Sequence, residues 1–399
     1  MQMISKNIKI QMEKSSWIRK MFDKGAELKQ QFGAENVFDF SLGNPDIPPP
    51  ANTRDSLIEL ADQLCKPLGM GYCRSAGLPP FREALAKMLK KEQQVDVQAE
   101  NVVVTCGAAG AITSFFRAVL EQGDEVICPS PYFVEYGAYC GHFGGVLKPV
   151  PSIAPDFRLD IPAIKAALTD KTRVMLINSP NNPTGCVYSQ EELSELGDWI
   201  NIVNQGRERP VYLVSDEPYR FLAYDGIEVP PVLPLTPFSL VLGSFSKKLS
   251  IPGERVGYIV ANPEMPNVQI LMDAVTLTNR TLGFVNAPVI GQRIALKMLD
   301  AGVDMSIYLS RRDAMASLLT EAGIKFAMPK GAFYFFAEAP GGNDIKFVKD
   351  LMNKNILVVP GTGFGYPGYF RMAFCVDVDV IKRAAPAFKD VSATYAEGL

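Results

Sequence analysis

Between residues 100 and 262, short uninterrupted apolar runs alternate with amphipathic helical patterns. The first unit has an apolar run at 101–106, a helical pattern at 109–120 and another apolar run at 124–129. Further apolar runs follow at 173–178, 210–216, 239–244 and 255–260. Strands without polar alternation are those that helices cover on both faces. The pattern therefore predicts an α/β fold whose mostly parallel central sheet carries helices on both faces.

A crossover helix is expected between the apolar runs at 173–178 and 210–216. Its apolar positions recur at spacings of three and four, namely Leu193, Leu196, Ile200 and Val203. Ser189 and Glu192 have the spacing of a capping box, in which each side chain accepts a hydrogen bond from the other residue's backbone N–H. The helix is therefore expected to begin just after Ser189.

From about residue 264 the pattern changes to long helices followed by further strands. Helical patterns occupy 264–280, 287–300 and 303–322, and strand candidates follow at 332–338, 356–360 and 369–376. This change predicts a smaller α+β domain after the α/β domain. We expect residues 1–45 to form an N-terminal segment that packs with the small domain, residues 46–280 to form the large domain and residues 281–399 to form the small one.

The charge and the composition exclude several functional classes. The 399 residues have a formal net charge of −3 and no run of Lys or Arg, so nucleic acid is not the expected partner. No window approaches the roughly 18 consecutive apolar residues of a membrane span, and the first residues lack the apolar core of a secretion signal. The single His, His142, excludes a metal site built on histidines. We expect a cytoplasmic protein with a small-molecule ligand, no metal and no membrane partner.

Polar motifs follow the predicted strands, at the edge where ligands bind to open α/β sheets. Gly107, Ala108 and Ala109 precede a helix, where small residues and helix N–H groups suit a phosphate. Asn182 follows the run at 173–178, and its amide can bind a ligand oxygen. Taken alone, small residues at such a turn more often reflect tight packing, and turn formation alone could explain the Asn182 motif.

Asp216 and Lys247 belong to a second set of motifs. Asp216 follows an uninterrupted apolar run, so its carboxylate needs a cationic partner unless it caps the next turn. Ser244 and Ser246 flank Lys247, and Arg255 precedes another strand. Hydroxyls and a guanidinium suit a phosphate, and a desolvated lysine amine reacts with a carbonyl group. The joint occurrence of these motifs indicates one site for a phosphorylated carbonyl cofactor.

The ordered motifs resemble those of the class I and II aminotransferases of pyridoxal-phosphate fold type I, the aspartate aminotransferase group. That group has N-P-T-G, D-x-x-Y, S-x-S-K and R-x-G in this order, which here are residues 182–185, 216–219, 244–247 and 255–257. The resemblance extends over nearly the whole chain. It implies pyridoxal 5′-phosphate (PLP) as cofactor and a ping-pong transfer of an amino group from an L-amino acid to a 2-oxo acid.

The resemblance implies a role for each matched residue at the cofactor. Lys247 is implied to bind PLP covalently and to carry the substrate proton, and Asp216 to face the pyridine nitrogen. Tyr219 and Asn182 are implied to bind the phenolic oxygen. The phosphate ligands implied by the resemblance are Gly107, Ala108, Ala109, Ser244, Ser246 and Arg255.

Two aromatic residues complete the implied cofactor site. Phe133 matches the residue that stacks on the cofactor ring, with Tyr132 as the other candidate. Tyr72 matches a tyrosine that reaches the phosphate bound by the other subunit. The resemblance therefore implies a homodimer with shared active sites.

The resemblance also implies substrate ligands. Gly43 and Asn182 match residues beside the substrate, and Arg371 matches an arginine that binds the α-carboxylate through two hydrogen bonds. An arginine within an apolar strand is costly without an anion, which supports the same role. Arg280 lies near the position from which aspartate-type members bind the distal carboxylate, which makes aspartate or glutamate a candidate donor. An arginine that ends a helix also suits the helix dipole, and a neutral or aromatic pocket lined by Phe364 is the alternative.

Two other functions are compatible with nearly the same residues. A PLP-dependent carbon–sulfur lyase would turn over without an added 2-oxo acid. A non-enzymatic PLP-sensing regulator would carry a DNA-binding extension before the aminotransferase-like domain. The G-x-G-x-x-G match at 363–368 contains a proline and leads into a strand, so we expect no dinucleotide site there. The resemblance implies instead that Phe364 lines the substrate entrance.

Overall fold

The structure, a computed structural model, describes residues 3–13 and 17–396. Its helices are α1 (Lys6–Glu13), α2 (Trp17–Phe32), α3 (Thr53–Leu64), α4 (Pro79–Gln93), α5 (Gly107–Val119), α6 (Tyr136–Gly141), α7 (Ile161–Ala166), α8 (Gln190–Val203), α9 (Phe245–Lys248), α10 (Val268–Asn279), α11 (Val289–Lys297), α12 (Met305–Glu321), α13 (Asp344–Met352) and α14 (Val378–Ala396). Its strands are β1 (Phe38–Asp39), β2 (Val102–Cys106), β3 (Glu125–Ser130), β4 (Val146–Pro151), β5 (Thr172–Asn178), β6 (Tyr212–Asp216), β7 (Ser239–Ser244), β8 (Val256–Ala261), β9 (Tyr334–Glu338), β10 (Ile356–Leu357), β11 (Val359–Pro360) and β12 (Tyr369–Ala373). Within this part of the chain, no helix has both the length and the apolar character needed to cross a membrane.

The central sheet has seven strands in the order β2-β8-β7-β6-β5-β3-β4. Neighbouring strands from β7 to β4 are parallel, whereas β8 is antiparallel to both β7 and β2. The prediction of a mostly parallel sheet is confirmed, with β8 as the exception. Because β8 runs backwards, it begins at the edge where β2 and β7 end, and Gly257 pairs with Ser244 there.

Apolar side chains fill both faces of this sheet. Along β5, Val174 and Leu176 belong to one hydrophobic cluster, and Met175 and Ile177 belong to another. Successive side chains of a strand point to opposite faces, so the two clusters lie on the two sides of the sheet. Helices α5 and α10 pack together on the face that carries Val174 and Leu176. This double coverage explains why the strand sequences are uninterrupted apolar runs and confirms helices on both faces.

Helix α8 begins where the sequence predicts. The Ser189 hydroxyl accepts a hydrogen bond from the Glu192 N–H at 3.2 Å, and the Glu192 carboxylate accepts one from the Ser189 N–H at 2.8 Å. The reciprocal pair satisfies two N–H groups that a helix start leaves without partners. The edge strand β4 was not predicted, because its sequence contains two prolines, which strand patterns tolerate only at a sheet edge.

The C-terminal region is an α+β unit, as expected. Strands β11, β12 and β9 form an antiparallel sheet in that order, and α12, α13 and α14 pack together beside it. Strand β1 of the N-terminal segment pairs in parallel with β10, where Phe38 lies opposite Ile356. Helix α11 packs on α3, α4 and β8. The domain boundaries at residues 45 and 280 stay predictions.

Candidate active site

A cavity of about 270 Å³ lies at the edge where β2, β6 and β7 end. Ten predicted cofactor ligands line it: Ala108, Ala109, Phe133, Asn182, Asp216, Tyr219, Ser244, Ser246, Lys247 and Arg255. Gly43, Gly107 and Arg371 are not among its lining residues, but each contacts one that is. The structure thus gathers most of the predicted site from segments that are far apart in the sequence.

Lys247 lies in the single turn α9, directly after β7. The Ser244 hydroxyl caps this turn by accepting a hydrogen bond from the Ser246 N–H at 3.1 Å. The Lys247 Nζ donates to the Gly43 carbonyl at 2.6 Å. Burial lowers the pKa of Lys247 to about 8. Roughly a tenth of this amine is therefore neutral at pH 7, and a nucleophilic lysine requires that neutral form.

Asp216 is the last residue of β6. The Tyr136 hydroxyl donates to its Oδ2 at 2.6 Å, whereas its Oδ1 is buried and has no hydrogen-bond partner among the described residues. Burial raises the pKa of Asp216 to about 6, and the hydrogen bond from Tyr136 opposes that rise. Because an unpaired buried carboxylate oxygen is costly, Asp216 is suited to a cationic donor from a ligand in the cavity.

Asn178, which sequence reasoning missed, connects two strand ends. Its Nδ2 donates to the Asp216 carbonyl at 2.7 Å, and its Oδ1 accepts from the Asn182 N–H at 2.7 Å. The Asn182 Oδ1 in turn accepts from Arg371 at 3.0 Å. With that oxygen occupied, the Asn182 Nδ2 group remains to donate to a ligand in the cavity that it lines.

The far end of the cavity is formed by close backbone contacts. Gly107 has φ +70°, and a Cβ built there would lie 2.6 Å from the Arg255 Nη2. A Cβ on Gly257 would lie 2.4 Å from the Gly107 carbonyl carbon. Arg255, Ser244 and Ser246 line the same cavity as Ala108 and Ala109 in the first turn of the 13-residue helix α5. A guanidinium, two hydroxyls and a helix N-terminus make a phosphate site.

Arg371 lies on β12 and is 1% exposed. Its guanidinium donates to Asn182 and to the Ser41 carbonyl, and it lies between the rings of Tyr334 at 4.6 Å and Phe364 at 4.9 Å. Its Nε has no hydrogen-bond partner in the part of the chain that the structure describes. Burial lowers the pKa of Arg371. A planar, buried guanidinium with a free donor is suited to a carboxylate.

Phe364 differs from its expected place. It is fully buried and packs over the Arg371 guanidinium instead of lining the cavity entrance. The G-x-G-x-x-G stretch around it forms a 3₁₀ turn, Gly361–Phe364, that leads into β12. A dinucleotide motif would have to open a helix at this point.

Tyr72 and Arg280 do not meet the cavity of their own subunit. Tyr72 is 91% exposed and lies with Met70 and Val285 beside a surface groove. Arg280 is exposed at the π-helical turn Arg280–Phe284 that follows α10, and no described carboxylate forms an ion pair with it. Both residues therefore remain candidates only for a site shared with another subunit.

Three contributors to the site were missed by sequence reasoning: Tyr136, Asn178 and Tyr334. Asn178 is the last residue of a predicted strand and lies shortly before Asn182. The rule that ligands bind at the ends of strands therefore indicates Asn178 as well. Tyr136 follows Phe133 by one helical turn, and this spacing is the only signal it gives. Tyr334 lies inside an apolar run and gives no polar signal.

Comparisons with known proteins identify the family. The family model for aminotransferase class I and II matches residues 35–388. The chain belongs to the class I and II aminotransferases.

Named relatives of this aminotransferase are similar over most of their length. A probable aspartate/prephenate aminotransferase of Aquifex aeolicus is 32% identical, with 89% of this chain and 92% of that protein covered. A solved aminotransferase structure from Eubacterium rectale is 36% identical with a TM-score of 0.93 over 99% of this chain and 100% of that one. Aspartate aminotransferase of Thermus thermophilus with maleate is 28% identical with a TM-score of 0.88, over 98% and 100%.

The aminotransferase is a PLP-dependent enzyme of fold type I. The family and the names of its relatives favour amino-group transfer over the carbon–sulfur lyase and the PLP-sensing regulator. Its residues fit the cofactor on geometric grounds. The unpaired Asp216 Oδ1, the part-buried amine of Lys247 and the anion site at Arg255 lie around one cavity, and they suit three different parts of the cofactor.

Proposed function

We propose that this aminotransferase takes aspartate or glutamate as amino donor, and that it works as a cytoplasmic homodimer with a large domain of residues 46–280 and a small domain of residues 281–399. The observation that carries the assignment of site residues is that Lys247 and the unpaired Asp216 carboxylate line the same cavity. PLP supplies an electron sink for the bond that breaks at the substrate Cα. The chain's own side chains supply binding, orientation and proton transfer.

Lys247 is proposed as the residue that holds the cofactor and moves the proton. Its depressed pKa provides a neutral amine, which would hold the cofactor at its carbonyl carbon. Once free, the same amine would take the proton from the substrate Cα. The Gly43 carbonyl, 2.6 Å from Nζ, keeps the amine at the mouth of the substrate site.

Asp216, Asn182 and Tyr219 are proposed to orient the cofactor ring. The Asp216 carboxylate keeps the pyridine nitrogen protonated, because an anion in a buried site favours a proton on its neighbour. Asn182 and Tyr219 would donate to the phenolic oxygen, and Phe133 would pack on the ring face. The proposed phosphate ligands are Gly107, Ala108, Ala109, Ser244, Ser246 and Arg255.

Arg371 is proposed to bind the substrate α-carboxylate. The two rings fix the plane of its guanidinium, and its unpaired Nε provides a donor that a carboxylate would satisfy. Gly43 is proposed to lie beside the substrate, and its lack of a side chain is needed for packing, since a Cβ at this position would lie 2.0 Å from the Tyr334 hydroxyl. The substrate would thus be held at its carboxylate while its Cα faces Lys247.

The homodimer is proposed from the surface around Tyr72. Leu68 is 89% exposed, Met70 62% and Tyr72 91%, and such a row of large apolar side chains is typical of a protein interface. A second copy that covers this row would carry the hydroxyl of Tyr72 toward a neighbouring phosphate site. Each active site would then need residues of both subunits.

Subunit mixing tests this arrangement. Lys247→Ala and Tyr72→Ala homodimers are both expected to be weakly active or inactive. A mixed dimer has one site in which Lys247 and the Tyr72 of the partner subunit are both intact. Random exchange should therefore restore roughly a quarter of the wild-type activity. Native mass spectrometry would verify that the subunits have exchanged. If activity is then not recovered, the shared site is excluded.

The choice of aspartate or glutamate rests on the positive charges available. Within the described residues, the cavity lining contains only two cations, Lys247 and Arg255, and both have proposed roles at the cofactor. A distal carboxylate therefore needs a cation from outside, and the exposed, unpaired Arg280 of the partner subunit would supply it. Relatives named aspartate aminotransferase or aspartate/prephenate aminotransferase support the same choice.

A panel of amino donors tests this proposal directly. Aspartate, glutamate, alanine, phenylalanine and tyrosine would each be mixed with the loaded enzyme, and loss of the cofactor's visible absorbance would be followed in single turnovers. Aspartate or glutamate should react with the highest second-order rate constant. Faster reaction of alanine or the aromatic donors would instead assign a neutral side-chain pocket, while leaving the roles of Lys247 and Asp216 intact.

A further inference from the structure

Tyr334 contacts three parts of the proposed site without lining the cavity. It is 2% exposed, and its hydroxyl lies 2.8 Å from that of Tyr219. Its ring lies 4.6 Å from the Arg371 guanidinium carbon. The 2.0 Å distance between its hydroxyl and a Cβ built on Gly43 shows that the hydroxyl packs directly on the backbone beside Lys247.

Either oxygen can be the donor in the hydrogen bond between the two tyrosines, and a ligand in the cavity decides which one donates. Each hydroxyl has one proton, so only one of the two can donate across the 2.8 Å contact. Among the described residues, Tyr219 is the only hydrogen-bond acceptor within reach of the Tyr334 hydroxyl. Tyr219, in contrast, lines the cavity, where a ligand oxygen can accept its proton. When a ligand oxygen accepts the Tyr219 proton, Tyr334 is the hydroxyl left to donate across the contact between the two tyrosines.

Both hydroxyls stay protonated at physiological pH. Burial raises the pKa of Tyr334 to about 12 and holds the pKa of Tyr219 well above its ordinary value. The ionisable groups that face this pair are Arg371, Cys375 and, behind Tyr334, Tyr308. The thiol of Cys375 stays neutral, because burial raises its pKa to about 12. The direction of donation is therefore constant across the working range of the enzyme.

We propose that Tyr334 is a positioning residue with two effects. Its hydroxyl donates to Tyr219 and so directs the Tyr219 proton into the cavity, and its ring fixes the guanidinium of Arg371. The first effect rests on the proposed contact between Tyr219 and the phenolic oxygen of the cofactor. One side chain would thus orient both the group that binds the cofactor oxygen and the group that binds the substrate carboxylate.

The pH at which the visible band of the bound cofactor titrates reports the first effect. A donor to the phenolic oxygen stabilises its anionic form, so loss of donor strength should move the titration to higher pH. Tyr219→Phe should raise that pH most, and Tyr334→Phe should raise it by about half to one pH unit. In a Tyr219→Phe background, Tyr334→Phe should add nothing, because its hydroxyl acts only through Tyr219.

Tyr308→Phe is the matched control. Tyr308 stacks on Phe333, the neighbour of Tyr334, at 5.7 Å, and its buried hydroxyl has no hydrogen-bond partner in the described part of the chain. Its loss should leave the titration unchanged. The proposal would be overturned if Tyr334→Phe titrated like the wild type. It would also be overturned if Tyr334→Phe shifted the titration equally in the wild-type and Tyr219→Phe backgrounds. An unshifted band in Tyr219→Phe would instead disprove the proposed role of Tyr219.

Two substitutions keep the test independent of folding defects. Site-specific 3-fluorotyrosine at position 334 retains the hydroxyl and makes it a stronger donor, so the titration should move to lower pH; movement to higher pH would reverse the assigned direction. Tyr334→Leu removes the ring, and KM for the amino donor should rise about tenfold beyond that of Tyr334→Phe. Equal KM values in the two variants would exclude the effect on Arg371.

Discussion

The cofactor side of the site and its partner-facing side are built differently. Lys247, Asp216 and Asn182 end or follow strands of one subunit and are held by hydrogen bonds between 2.6 and 3.0 Å. Asp216 and Asn182 are buried, and Lys247 is partly buried. Tyr72 and Arg280 are exposed and have no such contacts among the described residues. The first group is completed by folding alone. The second group acquires a function only if two copies associate.

This difference predicts how substitutions divide. Changes on the cofactor side should impair the reaction of every substrate, because all substrates share the same bond-breaking step. Changes on the partner-facing side should depend on the substrate or on the assembly state. The following experiments, ordered by expected effect, test that division.

Lys247→Ala should have the largest effect. It removes both the group that holds the cofactor and the proton carrier, so kcat should fall by about 10⁴-fold or more while the protein still folds. Borohydride reduction of the wild-type enzyme followed by peptide mapping should find the cofactor on Lys247. The adjacent Lys248, whose Nζ donates to the Leu299 carbonyl at 2.9 Å, is the internal control. A label on Lys248 would refute the assignment.

Asp216→Ala should come next, with kcat lower by roughly 10²- to 10³-fold for all donors. The pyridine nitrogen loses the charge that keeps it protonated, whereas the phosphate contacts remain. Cofactor affinity, measured by equilibrium dialysis, should therefore fall by a much smaller factor than kcat. Near-wild-type kcat would contradict the role of Asp216, and so would a loss confined to one class of donor.

Arg280→Leu should act on the partner-facing side only. Loss of a charge-assisted pair to the distal carboxylate should lower kcat/KM for aspartate or glutamate by about ten- to a hundredfold and spare alanine and aromatic donors. Arg117→Leu removes another exposed arginine, on α5, and should change neither. An equal loss for all donors would assign Arg280 to structure, and no loss for aspartate would favour a neutral donor pocket.

Tyr136→Phe should have the smallest effect, and it sharpens the cofactor side. The hydrogen bond from Tyr136 favours the charged form of Asp216, so its loss should raise the Asp216 pKa above its present value of about 6. PLP binding to the cofactor-free protein should weaken when falling pH protonates the Asp216 carboxylate. In Tyr136→Phe this weakening should occur at a pH about one unit higher than in the wild type. Above pH 8 the two proteins should bind equally.

Dissociation constants measured between pH 5 and 8.5 would show this shift. Tyr139→Phe, which removes another hydroxyl from the cavity lining, is the matched control. Superimposable curves for Tyr136→Phe and wild type would mean that the 2.6 Å contact does not support the carboxylate.

Much of the fold could be predicted because apolar periodicity records burial. The runs that became β5, β6 and β7 lie between two helix layers, so both faces selected apolar residues. The direction of β8 could not be predicted, since an uninterrupted apolar run is the same read in either direction. Strand β4 was not predicted, because an edge strand has fewer buried positions and tolerates prolines.

The site was predictable where chemistry forces a polar residue next to an apolar run, as at Asp216 and Lys247. It was not predictable where a residue acts through another. Tyr136 and Tyr334 are buried tyrosines whose sequence surroundings match those of ordinary core residues. Their significance depends on which atoms their hydroxyls meet, and only the three-dimensional structure provides that.

The burial of Arg371 also affects how long the protein lasts. No described carboxylate forms an ion pair with this guanidinium, so the ligand-free fold retains an interior positive charge that lacks its counter-charge. A bound substrate carboxylate supplies that charge only in the folded state. At a concentration ten times its dissociation constant, the substrate would add about 1.4 kcal/mol to the free energy of unfolding. The bound substrate would thereby protect the enzyme from unfolding and proteolysis. The lifetime of the enzyme would then increase with the supply of its substrate.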